Sequence, residues 1–216
     1  MNIDDVESTE IEIPEGPVLK HIYVKQASLM DKYEEIERAN GAVVPSPAWG
    51  INDPRVQMRV KDMFWRVTEE LAEALEDVPQ DLWQWRQKWD ERSKIRHVWE
   101  EIADALHFLV EASIIVDFEP KDWAFPGFQK TMGQRPIEQY AFRIIMELGL
   151  AANCLKNKPW KNTHMETDKE NFTKHLNRAW RQLGAMFATY EFTLNDIYIL
   201  YMKKATVNVF RQRTNY

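Results

Sequence analysis

Apolar residues recur every three to four positions along most of the chain, a period that predicts helices. The first runs over about 21–39, through Ile22, Val24, Leu29, Tyr33 and Ile36, and Asn40-Gly41 stops it. A loop follows from Val43 to Gly50, marked by its Pro and Gly content. Asp53 reads as the N-cap of a second helix and Pro54 as its first residue. Val56, Val60, Phe64, Val67, Leu71 and Leu75 then form one stripe, until Pro79. Residues 79–93 hold Trp83, Trp85 and Trp89 among polar residues and read as a broken helix or a loop. A third helix over about 94–117 is apolar around most of its surface. A connection from Pro120 to Gln134 leads to a fourth helix, opened by Pro136 and closed before Pro159. The fifth covers about 171–190. Thr193-Leu194-Asn195-Asp196 resembles a capping box, with Asp in place of Glu or Gln, and opens a sixth helix to about Arg211. No strand-like alternation of useful length occurs. The pattern predicts an all-α fold: one helical bundle of about six main helices over 18–216, after a flexible acidic arm over 1–17.

Composition narrows what such a bundle does. The 216 residues are 44% hydrophobic, enough for a real core, and the 7 Gly against 29% charged residues favour helix. Lys+Arg number 28 and Asp+Glu 34, a net charge of −6 that disfavours nucleic-acid binding through bulk electrostatics. A local basic cluster remains able to hold a small polyphosphate. The single Cys154 excludes an intramolecular disulfide and fits a reducing, cytoplasmic setting. The acidic start does not read as a signal peptide, and no apolar run approaches the ~18 residues of a membrane span. The most apolar stretch, Leu106 to Val116, is broken by His107 and Glu111.

Two acidic blocks carry the chemistry. Glu70-Leu71-Ala72-Glu73 lies on the second helix, and Glu101-Ile102-Ala103-Asp104 on the third. A three-residue step puts two side chains on one helix face. Phasing places Glu70 at the edge of the apolar stripe with Glu73 beside it, while Glu69 and Glu76 point further into solvent. If the two helices pack, four carboxylates meet. At about 5 Å and an effective dielectric near 20, each pair repels by roughly 3 kcal/mol. A hard divalent cation removes that cost, and Mg²⁺ takes oxygen ligands while keeping waters and phosphates in its shell. Two solvated helix faces are the other reading of these blocks. The last helix adds a possible ligand-holding face: Lys204, Asn208 and Arg211, at spacings of four and three, offer two cations and an amide. The same residues also suit a basic helix end that complements the dipole.

These residues together resemble the all-α nucleoside triphosphate pyrophosphohydrolases, and among them the dimeric dUTPases of phages, some bacteria and trypanosomatids. The resemblance rests on Glu70, Glu73, Glu101, Asp104 and His107-Phe108, and on the C-terminal run from Lys204 through Asn208, Arg211 and Gln212 to Tyr216. It departs from the family pattern at Ala205 and Asn215, and a second base-reading amide beside Gln26 has no match. The resemblance implies Mg²⁺-dependent hydrolysis of dUTP to dUMP and pyrophosphate by a cytoplasmic homodimer that binds neither nucleic acid nor membrane. It implies that Glu70, Glu73, Glu101 and Asp104 hold two or more Mg²⁺ ions, with Glu70 or Glu73 as general base. Gln26, Trp83, His107, Lys204, Asn208, Arg211 and Tyr216 then contact the substrate. A MazG-like enzyme for dCTP or a modified phage nucleotide is the alternative within the class. A non-catalytic helical scaffold is the alternative outside it.

Overall fold

The computed structural model describes residues 10–76, 78, 92–120, 135–158 and 160–213, with 92–96 as backbone alone. Among the described residues there are six α-helices and no strand: α1 (Val18–Ala39), α2 (Pro54–Glu76), α3 (Arg92–Ile115), α4 (Ile137–Cys154), α5 (Lys169–Thr189) and α6 (Leu194–Arg213). A short 3₁₀ turn, Pro47–Trp49, precedes α2. The all-α expectation is met, and the helices fall close to the positions that periodicity predicts. No described helix is long and apolar enough to cross a membrane.

Local chemistry sets the helix ends. At the end of α1, Gly41 takes φ +83°, while the Gly41 N–H donates to Arg38 O and the Ala42 N–H to Glu37 O. This left-handed cap suits a residue without Cβ. Asp53 accepts from the Arg55 and Val56 N–H groups at 2.8 and 3.4 Å, which opens α2. Thr193 and Asp196 cap α6 reciprocally: Asp196 Oδ2 accepts from the Thr193 N–H at 2.8 Å, and Thr193 Oγ1 accepts from the Asp196 N–H at 3.2 Å.

Two antiparallel pairs dominate the bundle. Glu70 near the end of α2 faces the middle of α3, while Arg59 earlier on α2 reaches Glu111 later on α3 at 3.2 Å. The α4–α5 pair is likewise antiparallel, with His175 meeting Glu147 at 2.7 Å and Tyr140 meeting Thr189 at 2.7 Å. α1 and α6 close the other side of α3. One continuous core joins all six helices, with Ile22, Leu71, Ile102, Leu109, Ile144, Trp180 and Phe187 almost fully buried. Trp180 keeps its indole N–H satisfied by donating to Ser113 Oγ at 3.0 Å.

The predicted stripe on α1 is corrected in part. Val24, Tyr33 and Ile36 are exposed, and the buried face is Val18, Ile22, Gln26, Leu29 and Met30. Val24 stands about 200° around the helix from Ile22, so the two cannot share a face. A glutamine takes the inward position instead.

Candidate metal centre and nucleotide site

Packing of α2 on α3 brings Glu70, Glu101 and Asp104 together, with one oxygen from each within 4.8 Å of the others. Glu101 is buried, and Glu70 and Asp104 are half-buried. Glu73 is not in this group. Its side chain is exposed, because the step of three from Glu70 turns it about 60° off the packed edge and water competes for it there. Its charge still adds to the field at Glu70.

Three acids in such a space cannot all ionise freely. The Glu70 carboxyl is pushed up to about 8, first by burial, then by the charge of Asp104 and by hydrogen bonding to Glu101. Asp104 is raised to about 6 by burial, against the downward pull of Lys204. Lys204 Nζ sits 2.6 Å from Asp104 Oδ2, and both ends of the pair are largely withdrawn from water. His97, one turn before Glu101 on α3, lies with Nδ1 3.1 Å from Glu101 Oε1.

A buried polar chain runs beside the acids. Gln26 Oε1 accepts from the Tyr201 hydroxyl at 2.5 Å and from His107 Nδ1 at 2.8 Å. Gln26 Nε2 donates to Glu111 Oε2 at 3.4 Å. Arg59 holds Glu111 Oε1 at 3.2 Å and Glu37 at 2.9 Å. Because Glu111 accepts from the amide nitrogen, the amide oxygen must face His107, and the imidazole carries its proton on Nδ1. Burial drives the His107 pKa down to about 3, so the ring is neutral. Its Nε2 is buried and meets no hydrogen-bond partner within 3.5 Å among the described residues, the Tyr201 backbone lies near the ring, and the ring stacks on the Tyr201 side chain at 3.9 Å.

The other sequence-derived candidates fall as follows. Asn208 is half-buried and Arg211 exposed, both on α6 beyond Lys204. The Arg211 charge reaches Asp104 and pulls its pKa down. Trp83 and Tyr216 lie outside the described residues, as do Trp85 and Trp89. Sequence reasoning missed four residues of this region. His97 and Glu111 carried a signal: they stand one turn from Glu101 and from His107, and Glu111 is an acid inside the most apolar stretch of the chain. Arg59 and Tyr201 carried none, since only packing shows which face meets α3.

A pair of helices with clustered carboxylates, flanked by a helix with Lys204, Asn208 and Arg211, is the setting in which a comparison of sequences becomes specific. The model of a family described as dUTPase matches residues 48–216, from just before α2 to the last residue. The chain belongs to the dUTPase family. It is a dUTP diphosphatase, which hydrolyses dUTP to dUMP and pyrophosphate. The matched stretch contains every dUTPase candidate named above except Gln26, which α1 supplies from outside it. No curated protein and no solved structure matched the chain in the parallel comparisons.

Proposed function

We propose that this diphosphatase works through Mg²⁺, two or more ions held by Glu70, Glu101 and Asp104 with Glu73 on the solvent side. The observation that carries this reading is the convergence of the three carboxylates. Their donors are all oxygen, the set a hard cation prefers. The Glu70 carboxyl is raised first by burial and then by the charges of Asp104, Glu101 and Glu73, and a bound cation would offset that crowding of charge. When bound, the ion supplies positive charge against the triphosphate and acidifies a water.

The protein's own groups do the rest in this reading. Glu70, ionised once a cation is bound, takes the proton of the attacking water, and Glu73 beside it is the alternative acceptor. Lys204 and Arg211 hold phosphate oxygens and stabilise charge on the leaving pyrophosphate. Asn208, Gln26 and His107 contact sugar and base. Trp83 and Tyr216 join the substrate contacts on the strength of the family resemblance. A homodimer in the cytoplasm is part of the same proposal. It is supported by large apolar side chains left exposed, among them Trp65 of α2 and Phe142 and Met146 of α4.

A panel of deoxynucleoside triphosphates, with Mg²⁺ or with EDTA and read by product separation, tests the reading. It predicts turnover of dUTP in Mg²⁺ alone, and none in EDTA. Equal turnover of all four common substrates, or of dCTP above dUTP, would contradict the base assignment. Undiminished turnover in EDTA would contradict the metal.

A further inference from the structure

Lys61 stands nine residues before Glu70 on α2, half a turn away in phase, and so on the side of the helix opposite the acids. There the start of α2, the end of α4 and the segment after α4 line an open cleft of about 570 Å³. Its lining brings together Lys61, Lys156, Lys158, Lys161 and Trp160 and includes no acidic residue. Among the described residues none of these lysines forms an ion pair with a carboxylate. Lys61 Nζ donates to Leu155 O at 3.1 Å and Lys156 Nζ to Asn153 O at 2.7 Å. Capping of the α4 end accounts for these two. It leaves Lys158 and Lys161 unexplained, and Lys158 lies 5.4 Å above the centre of the Trp160 ring. That ring is 76% exposed.

The segment is held in place by buried polar groups that the carboxylate site does not use. Asn157 is buried, and its N–H donates to Gln57 Oε1 at 2.8 Å. Its Nδ2 donates to Asn52 O at 2.8 Å and Met165 O at 2.7 Å, while its Oδ1 accepts from the Met165 N–H at 2.7 Å. Gln57 in turn donates to Ile51 O and to Thr167 Oγ1. Such a network is satisfied in one arrangement of the segment, and holds the backbone that carries Lys156 and Lys158 beside Lys61. Lys61 is held below the usual lysine range by burial and by the charges of Lys158 and Lys156. An anion would relieve this repulsion.

We propose that this cleft is a second binding site, for a nucleoside phosphate, with its phosphates on the lysines and its base against Trp160. It is separate from the hydrolytic site and independent of the metal reading. The test is calorimetric titration of the full chain in EDTA with α,β-imido-dUTP and, separately, with inorganic pyrophosphate. Wild type and Glu101→Gln should bind the imido-nucleotide alike. Lys156→Glu with Lys158→Glu should weaken it at least tenfold, and Trp160→Ala several-fold. Pyrophosphate should bind several-fold more weakly than the nucleotide. No saturable binding, or binding that survives the double lysine change, overturns the proposal. Equal affinity for pyrophosphate and nucleotide overturns the nucleoside assignment. Two further results overturn a separate site: loss of Mg²⁺-supported dUTP turnover in the lysine variant, or a changed sedimentation coefficient with unchanged affinity.

Discussion

His107 and Glu101 show what burial does to single residues. His107 has its imidazole pKa near 3 in the folded protein against 6.5 for a free one, so its ring should stay neutral through the physiological range. The ¹⁵N signals of His107 are expected to be those of the Nδ1–H tautomer and to stay unchanged between about pH 8 and about pH 5. A ring that titrates near 6.5 would contradict the buried chain from Glu111 to Gln26. Replacing Glu101 by Gln or Asp104 by Asn keeps shape and removes charge. Each should cut dUTP turnover by at least about 10²-fold while the circular dichroism of the bundle survives. Full activity in either variant would contradict the site. Phasing alone made Glu70, Glu101 and Asp104 legible, because helix geometry fixes which side chains share an edge. It placed Glu73 equally well in angle, but could not show that its side chain would sit in water.

At the scale of elements, the caps were readable because they are local: Asp53-Pro54, Thr193 with Asp196, and Asn40-Gly41 each act within a few residues of themselves. Replacing Gly41 by Ala puts a Cβ on a backbone at φ +83°, and should cost about 1 kcal/mol in denaturant unfolding although no neighbour crowds the site. The segment after α4 was not readable. Its polar composition is that of a solvated loop, yet Asn157 is buried with its partners Gln57, Asn52 and Met165. Asn157→Ala strips the Met165 N–H and two carbonyls of their partner, and is expected to lower stability by about 2–3 kcal/mol. A change below about 0.5 kcal/mol would show that water replaces these bonds at no cost. The inward face of α1 was half legible for a related reason. A buried glutamine interrupts the apolar stripe, and the long-range partners that pay its desolvation belong to α3 and α6.

For the whole molecule, the acids couple function to stability. Glu70 titrates near 8 when folded and near 4.5 in an unfolded chain. Between these values the folded state holds the extra proton, so the Glu70 contribution is lost as pH rises from about 4.5 to about 8; above about 6.5, clear of His107, metal-free protein should lose stability up to about pH 8 and level off beyond it. His107 acts with the opposite sign, but only below about 6.5, where the unfolded chain takes up the proton. Melting temperatures in EDTA across that range check the slope, and a rise with pH would contradict it. Divalent cation should flatten the slope by keeping the carboxylates ionised. The exposed Phe142 bears on the proposed homodimer: Phe142→Glu should shift sedimentation from dimer to monomer, and an unchanged dimer would take Phe142 out of the interface.

The most direct test of the central claim, that the α2–α3 carboxylates hold the cation on which dUTP hydrolysis depends, is the rate of dUMP formation as Mg²⁺ is titrated into wild type and Asp104→Asn. Wild type should rise from no turnover in EDTA to saturation, and the variant should stay at least about 10²-fold lower at every Mg²⁺ concentration. Turnover in EDTA, or a variant that follows the wild-type curve, would contradict the account.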